Sequence, residues 1–236
     1  GGEVTVYSNA FVVHQIIQAL RAGHIGDVPF EHVILVGHSL GSSISIAIAS
    51  QYPDDIDGVI LTGFLHDGVI PDGFLDSFYP ANLDPRFSYL NLDTNYITTV
   101  PGVRELFYYL PRADQAVINL DEETKETLTT GEINTSGEII GSTISQLIMV
   151  PVLMIIGQFD SFFCVGDAGC VDSASIVESE QPFFSPEACI KVSIVPNSGH
   201  DLNLHRNAHT AFARILDWAD QHVGVDGANV GVCSQQ

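Results

Sequence analysis

Gly37-His38-Ser39-Leu40-Gly41 stands directly after His32-Val33-Ile34-Leu35-Val36 and ahead of a stretch with no helix breaker until Pro53. The segment before it is short, β-branched and apolar throughout, the pattern of a parallel strand covered on both faces. The run after it, Ser43-Ile44-Ser45-Ile46-Ala47-Ile48-Ala49, alternates like a strand, yet its small residues and unbroken length predict a helix. A strand that stops at Gly37 and a helix that opens at Leu40 confine Ser39 to a tight turn with strained backbone. Gly37 and Gly41 are then expected because a side chain on either would strike the neighbouring backbone. The serine hydroxyl would stand at the helix N-terminus, where the Leu40 amide points at developing negative charge. A glycine turn with a helix-capping serine spells the same five letters, so the flanking strand and helix carry the distinction.

Outward from this turn the chain reads as alternating helices and strands. Apolar residues at Phe11, Val12, Ile16, Ile17 and Leu20 predict a helix over 11–20, capped by Ser8 or Asn9 and ended by Gly23. Residues 58–62, 152–156 and 190–195 are further apolar strands, and an amphipathic helix is expected over 208–223. The fold class is α/β, a predominantly parallel sheet with flanking helices. Residues 66–148 interrupt the alternation and are too long for a simple connection. With aromatic residues Phe74, Phe78, Tyr79, Phe87 and Tyr89, a helix over 103–110 and the acidic Asp121-Glu122-Glu123, they are predicted to fold as a mostly helical lid. The chain thus divides into core (1–65), lid (66–148), core (149–224) and a C-terminal tail (225–236).

Composition narrows the partners. The 236 residues carry 8 Lys plus Arg against 29 Asp plus Glu, a formal charge of −21. Such a field repels polyanions and argues against nucleic acid. Hydrophobic residues make up 45% and charged residues 16% of the chain, which excludes disorder as the main state. Apolar runs such as 147–156 are too short to cross a bilayer. The start, Gly1-Gly2-Glu3, lacks an initiator Met and a secretory signal, and is expected to be processed or truncated. Cys164, Cys170, Cys189 and Cys233 include no CxxC pair, so a loop disulfide is favoured over a metal site. Asn134-Thr135-Ser136 is a glycosylation sequon. With only two lysines in the chain it tilts the expected location towards the extracellular side.

A serine at neutral pH is a poor nucleophile and needs a base and a carboxylate that orients it. Asp160 follows the strand over 152–156, at the edge where open α/β sheets assemble their sites. His200 follows the last strand, and Gly199 beside it permits a loop that brings the imidazole over Ser39. Asp67, after the strand over 58–62, is the rival acid, and His66 is placed to line the pocket. His38 is expected to point away and shape the turn. His205 and His209 read as surface or helix-start residues.

The order Ser39, Asp160, His200, with Gly37-His38-Ser39-Leu40-Gly41 and Asn197-Ser198-Gly199-His200, resembles the α/β-hydrolase superfamily. The resemblance covers most of the chain. It implies Ser39 as nucleophile, Asp160 as orienting acid, His200 as general base and the Leu40 amide as an oxyanion donor, with Gly37 and Gly41 framing the nucleophile elbow. It implies neither metal nor cofactor. Because the elbow holds Ser and not Asp, the chain looks unlike the dehalogenase and epoxide-hydrolase branches. An acyl-serine route on a small, apolar acyl substrate is implied, and lipase, lactonase, thioesterase and carbon–carbon hydrolase activities all fit. One departure stands out: the family carries about four strands and a second oxyanion donor before the elbow strand, and here only 36 residues precede Gly37. The first half of the sheet is expected to be absent, leaving the elbow strand as an apolar edge open to self-association or to a partner. The alternative reading is a non-catalytic ligand-binding member of the fold, or an inactive fragment.

Overall fold

The computed structural model describes residues 1–224 except 69, 70, 72 and 168. The tail assigned to 225–236, with Cys233, lies outside them. Helix α1 (Val6–Arg21) leads into strand β1 (Ile34–His38), helix α2 (Leu40–Gln51) and strand β2 (Gly58–Thr62). An inserted segment then supplies β3 (Phe78–Pro80), β4 (Tyr96–Thr99), α3 (Gln115–Thr124), β5 (Leu128–Thr129) and α4 (Thr130–Ile139). Strand β6 (Val152–Gly157), α5 (Ser173–Glu180), β7 (Lys191–Val195) and α6 (Ala208–His222) follow.

The main sheet runs β1-β2-β6-β7 with every neighbouring pair parallel. Parallel strands place all their C-terminal ends along one edge, so Ser39, Asp160 and His200 emerge on the same side. The two central strands, β2 and β6, are buried along their whole length because both faces are covered. Val59, Leu61, Val152, Met154 and Ile156 point into the core shared with α1 and α2. Ile60, Leu153 and Ile155 point the other way, against Ala211 and Trp218 of α6. Period-two alternation inside an unbroken apolar run is the packing reason these segments are strands. Among the described residues β1 pairs with β2 alone and forms an edge, with Val36 57% exposed.

Several boundaries differ from the sequence expectation for local reasons. Helix α1 begins at Val6 because Thr5 and Ser8 form a reciprocal cap, the Ser8 amide donating to Thr5 Oγ1 (3.1 Å) and the Thr5 amide to Ser8 Oγ (2.8 Å). Ser8 and Asn9 are therefore inside the helix. The 103–110 helix is replaced by two short 3-10 turns, Val103–Phe107 and Leu110–Arg112, with Pro111 in the second. Besides its helices, the inserted segment holds a small antiparallel sheet of β3, β4 and β5 that the sequence did not suggest. The sequon lies inside α4 and not in a loop, and its Ser136 hydroxyl is hydrogen-bonded to Ser43 (2.8 Å). Cys164 and Cys170 are joined in a disulfide, and Cys189 is disulfide-bonded as well. Among the described residues no helix is long and apolar enough to cross a membrane.

Candidate active site

Ser39 sits at φ 52°, ψ −117°, a backbone conformation that non-glycine residues rarely hold. Ties on both sides impose the strain: the Ser39 amide is bound to the Thr62 carbonyl of β2 (2.9 Å), while its own carbonyl already accepts from Ser42 (2.8 Å) at the start of α2. A Cβ on Gly37 would overlap the backbone of Gly41 and Ser42, so this position admits glycine only. Gly41 departs from the expectation, because a Cβ there would meet nothing. The crowding is one-sided: the Gly41 backbone presses on Gly37, while the Gly41 side-chain position faces open space.

His200 is buried, and its Nδ1–H donates to Asp160 Oδ2 (2.9 Å). Asp160 is fully buried and receives the Phe162 amide on its other oxygen (2.9 Å). Burial by itself would lower the His200 pKa; the Asp160 charge and hydrogen bond, with the Asp201 charge, outweigh it and hold the imidazole above the usual histidine value. Ser39, Leu40 and His200 line one cavity of about 500 Å³. Among the described residues no hydrogen bond joins the Ser39 hydroxyl to His200; such contacts are often long before substrate binds.

The cavity wall is aromatic, built from Phe64, Phe74, Phe78, Phe107, Phe162 and Phe163. Of the aromatic residues flagged in the inserted segment, Phe74 and Phe78 reach it, whereas Phe87 is buried elsewhere and Tyr89 is 74% exposed. Phe162 packs edge-on to His200, ring centroids 4.7 Å apart.

Three histidines and an aspartate take places that the sequence did not suggest. His38 does not point away: it lines the cavity, its ring centroid 5.0 Å from that of His200. Its Nδ1 lies 2.9 Å from Thr62 Oγ1 and its Nε2 3.1 Å from Asp201 Oδ1. Asp201 also faces Arg104 Nη2 (3.4 Å), and the Arg104 Nε–H donates to Asp121 (2.9 Å). Burial opposes ionisation of Asp201, but the His38 hydrogen bond and the charges of His200, His38 and Arg104 keep its carboxyl below the ordinary range. His205 is not a surface residue. It is buried, its Nε2 accepts the amides of Gly199 (3.1 Å) and Tyr109 (3.0 Å), and its Nδ1–H donates to the Asp201 carbonyl (3.1 Å). His66 does not line the cavity either. It is enclosed between Glu180 Oε2 (2.7 Å) and the Ser145 hydroxyl (2.9 Å), a Ser-His-Glu relay with no access to substrate. Asp67 is exposed, and the carboxylate on His200 is that of Asp160. The signals for the missed residues were adjacency, His38 beside Ser39 and Asp201 beside His200; His205 and Arg104 had none.

A family model described as alpha/beta hydrolase fold matches residues 27–204. Among solved structures, the chain is similar to a monoacylglycerol lipase from Paleococcus ferrophilus at 17% identity and TM-score 0.59, covering 92% of this chain and 76% of that one. A thermophilic esterase from Thermogutta terrifontis is similar at 18% identity and TM-score 0.55, covering 91% of this chain and 72% of that one. A methylesterase from Arabidopsis gives 18% identity, TM-score 0.53 and coverages of 88% and 75%. No curated protein sequence matches the chain.

Proposed function

The chain belongs to the alpha/beta hydrolase fold family, and from that premise we propose that it is a serine hydrolase cleaving a carboxylic ester, or a related acyl bond, of a small apolar substrate. The observation that carries the reading is the conjunction of a strained Ser39 with a His200–Asp160 pair on one aromatic-walled cavity. In the proposed cycle Ser39 Oγ attacks the acyl carbon while His200 Nε2 takes the hydroxyl proton. The Leu40 amide, at the N-terminus of α2, faces the oxygen that becomes negative. The tetrahedral intermediate collapses, the acyl–oxygen bond of the substrate breaks, and His200 returns the proton to the leaving alcohol. Water then repeats the sequence and frees the acid. Asp160 holds the imidazole in the tautomer with Nδ1 protonated and stabilises its cation. Residues 66–148 act as the lid, contributing Phe74, Phe78 and Phe107 to the acyl-binding wall. The lipase and esterases to which the chain is similar support the same class.

The test is hydrolysis of p-nitrophenyl esters of graded acyl length by wild type, Ser39→Ala and His200→Ala, each verified as folded by a thermal melt. Turnover lost in both variants, by about 10⁴-fold or more, is the expected result. A cooperatively folded wild type with no turnover on any ester, yet a melting temperature raised by the same compounds, would favour a ligand-binding protein. The observation behind that second reading is the missing Ser39–His200 hydrogen bond beside a single identified oxyanion donor.

A further inference from the structure

We propose that His38, Asp201 and His200 form a binding site for a divalent transition metal of the zinc type, and that an ion held there switches off the chemistry assigned above; the inhibitory half of this proposal rests on the serine-hydrolase reading, the metal site itself does not. One ligand atom from each of the three residues lies within 4.8 Å of the others, and Asp201 and His200 are buried. Two imidazoles and one carboxylate meeting at a point with an open side, towards the cavity, is a donor set that zinc accepts.

The geometry of each ligand is already fixed by a second partner, which is how proteins aim metal-binding side chains. Nδ1 of His200 is engaged by Asp160, leaving Nε2 as the nitrogen it can offer. Thr62 Oγ1 donates to the Gly37 carbonyl (2.9 Å) and therefore accepts from His38 Nδ1–H, which turns His38 Nε2 to the site. Asp201 Oδ2 faces Arg104, so Oδ1 is the oxygen that meets His38. The separation of His38 Nε2 from Asp201 Oδ1 is 3.1 Å. Two ligands about 2.1 Å from a tetrahedral zinc stand about 3.4 Å apart, so the ion fits between these two atoms with little movement. Binding then exchanges protons for metal: the ion bonds to His38 Nε2, Asp201 Oδ1 and His200 Nε2, and any proton on either Nε2 leaves to solvent. The net charge of −21 favours the cation's approach, with the Arg104 guanidinium beside the carboxylate as the opposing charge. Among the described residues, other histidine–carboxylate contacts such as His14–Asp55 and His66–Glu180 are pairs and not three-ligand clusters.

Zinc bonded to His200 Nε2 takes up its lone pair. None is left for the Ser39 proton, so the nucleophile loses its base.

The experiment measures Zn²⁺ binding directly, by competition with a chromophoric chelator, on wild type, Ser39→Ala, His38→Gln and Asp201→Asn, with fluorophosphonate labelling of Ser39 followed in parallel by intact mass. Wild type and Ser39→Ala should bind one equivalent alike, and His38→Gln should weaken it roughly tenfold or more, with Asp201→Asn carrying the test if His38→Gln does not fold. Zinc should slow labelling of the wild type and a chelator should restore it. Absence of a bound equivalent, or equal affinity in the ligand variants, overturns the site. Binding that leaves the labelling rate unchanged overturns the inhibitory role. Zinc bound as expected on a chain that is never labelled, with or without metal, would retire the hydrolase reading while the site stands.

Discussion

At the scale of single residues, the imidazoles do unlike work because of what each nitrogen faces. His205 takes two backbone amides on Nε2, so only the neutral ring fits; burial pushes its pKa below the usual histidine value. An unfolded histidine gains its proton near pH 6.5 while the folded one resists it. The contribution of His205 to stability is therefore full above that value and falls as pH drops towards its folded pKa. His200 has the opposite sign: its raised pKa adds stability below the ordinary histidine value, and this is lost as pH rises through the folded pKa. Replacing His205 by Phe should cost about 1–3 kcal/mol for each stranded amide and remove the share of acid sensitivity that His205 contributes. Urea unfolding of both proteins across about pH 5 to 8 measures this, and an unchanged pH slope in His205→Phe would refute it. On the proposed serine-hydrolase reading His200 must be neutral to act as base, so its raised pKa should put the acid limb of kcat/KM above about pH 6.5, which a pH profile on any turned-over ester will show.

At the scale of elements, the elbow is an asymmetric device. Gly37→Ala should drive a methyl into the Gly41 carbonyl and destabilise the fold by about 1–3 kcal/mol or more. Gly41→Ala, opening into free space in the first turn of α2, should be neutral or stabilising by up to about 1 kcal/mol, and denaturant midpoints will separate the two. The loop after β6 is built on the same economy of local ties. The Cys164–Cys170 disulfide closes a loop that begins four residues past Asp160 and lies next to Phe162 and Phe163, which contact His200. For so short a loop, removing the disulfide as the double serine variant should cost about 2 kcal/mol of stability in melts. The parallel strands were legible because burial on both faces writes an unbroken apolar run, and their ends marked where Ser39, Asp160 and His200 would meet. Helix α1 was placed late because the Thr5-x-x-Ser8 cap has no acidic residue at its third position. The inserted sheet was not legible: β3, β4 and β5 have 3, 4 and 2 residues, too few to show alternation, and they are stabilised by pairing across long sequence separations. For the same reason Arg104 could not be foreseen near Asp201, since it arrives on a turn of that segment.

At the scale of the whole molecule, charge and an open edge act against each other. The formal charge of −21 makes copies of the chain repel, and within one molecule it strains the compact state. Among the described residues the outer edge of β1 carries a row of backbone groups not paired by a neighbouring strand, with Val36 exposed on the strand itself. Further apolar side chains are exposed on the helices, Val12 and Ile16 on α1 and Phe212 and Leu216 on α6. Such edges pair with other chains unless something prevents it. Here long-range repulsion is the available restraint, and it is screened within about 10 Å at 0.1 M salt. Added sodium chloride should therefore raise the melting temperature and, at the same time, shift sedimentation from monomer towards dimer. Val36→Lys places a charge on the edge and should keep the chain monomeric at every salt concentration while leaving the salt dependence of melting in place, because that dependence belongs to the charge of the entire surface. Dimerisation that persists in Val36→Lys would mean that the contact lies on another face. A melting temperature indifferent to salt would mean that the acidic residues are too far apart, or too well paired locally, to oppose folding.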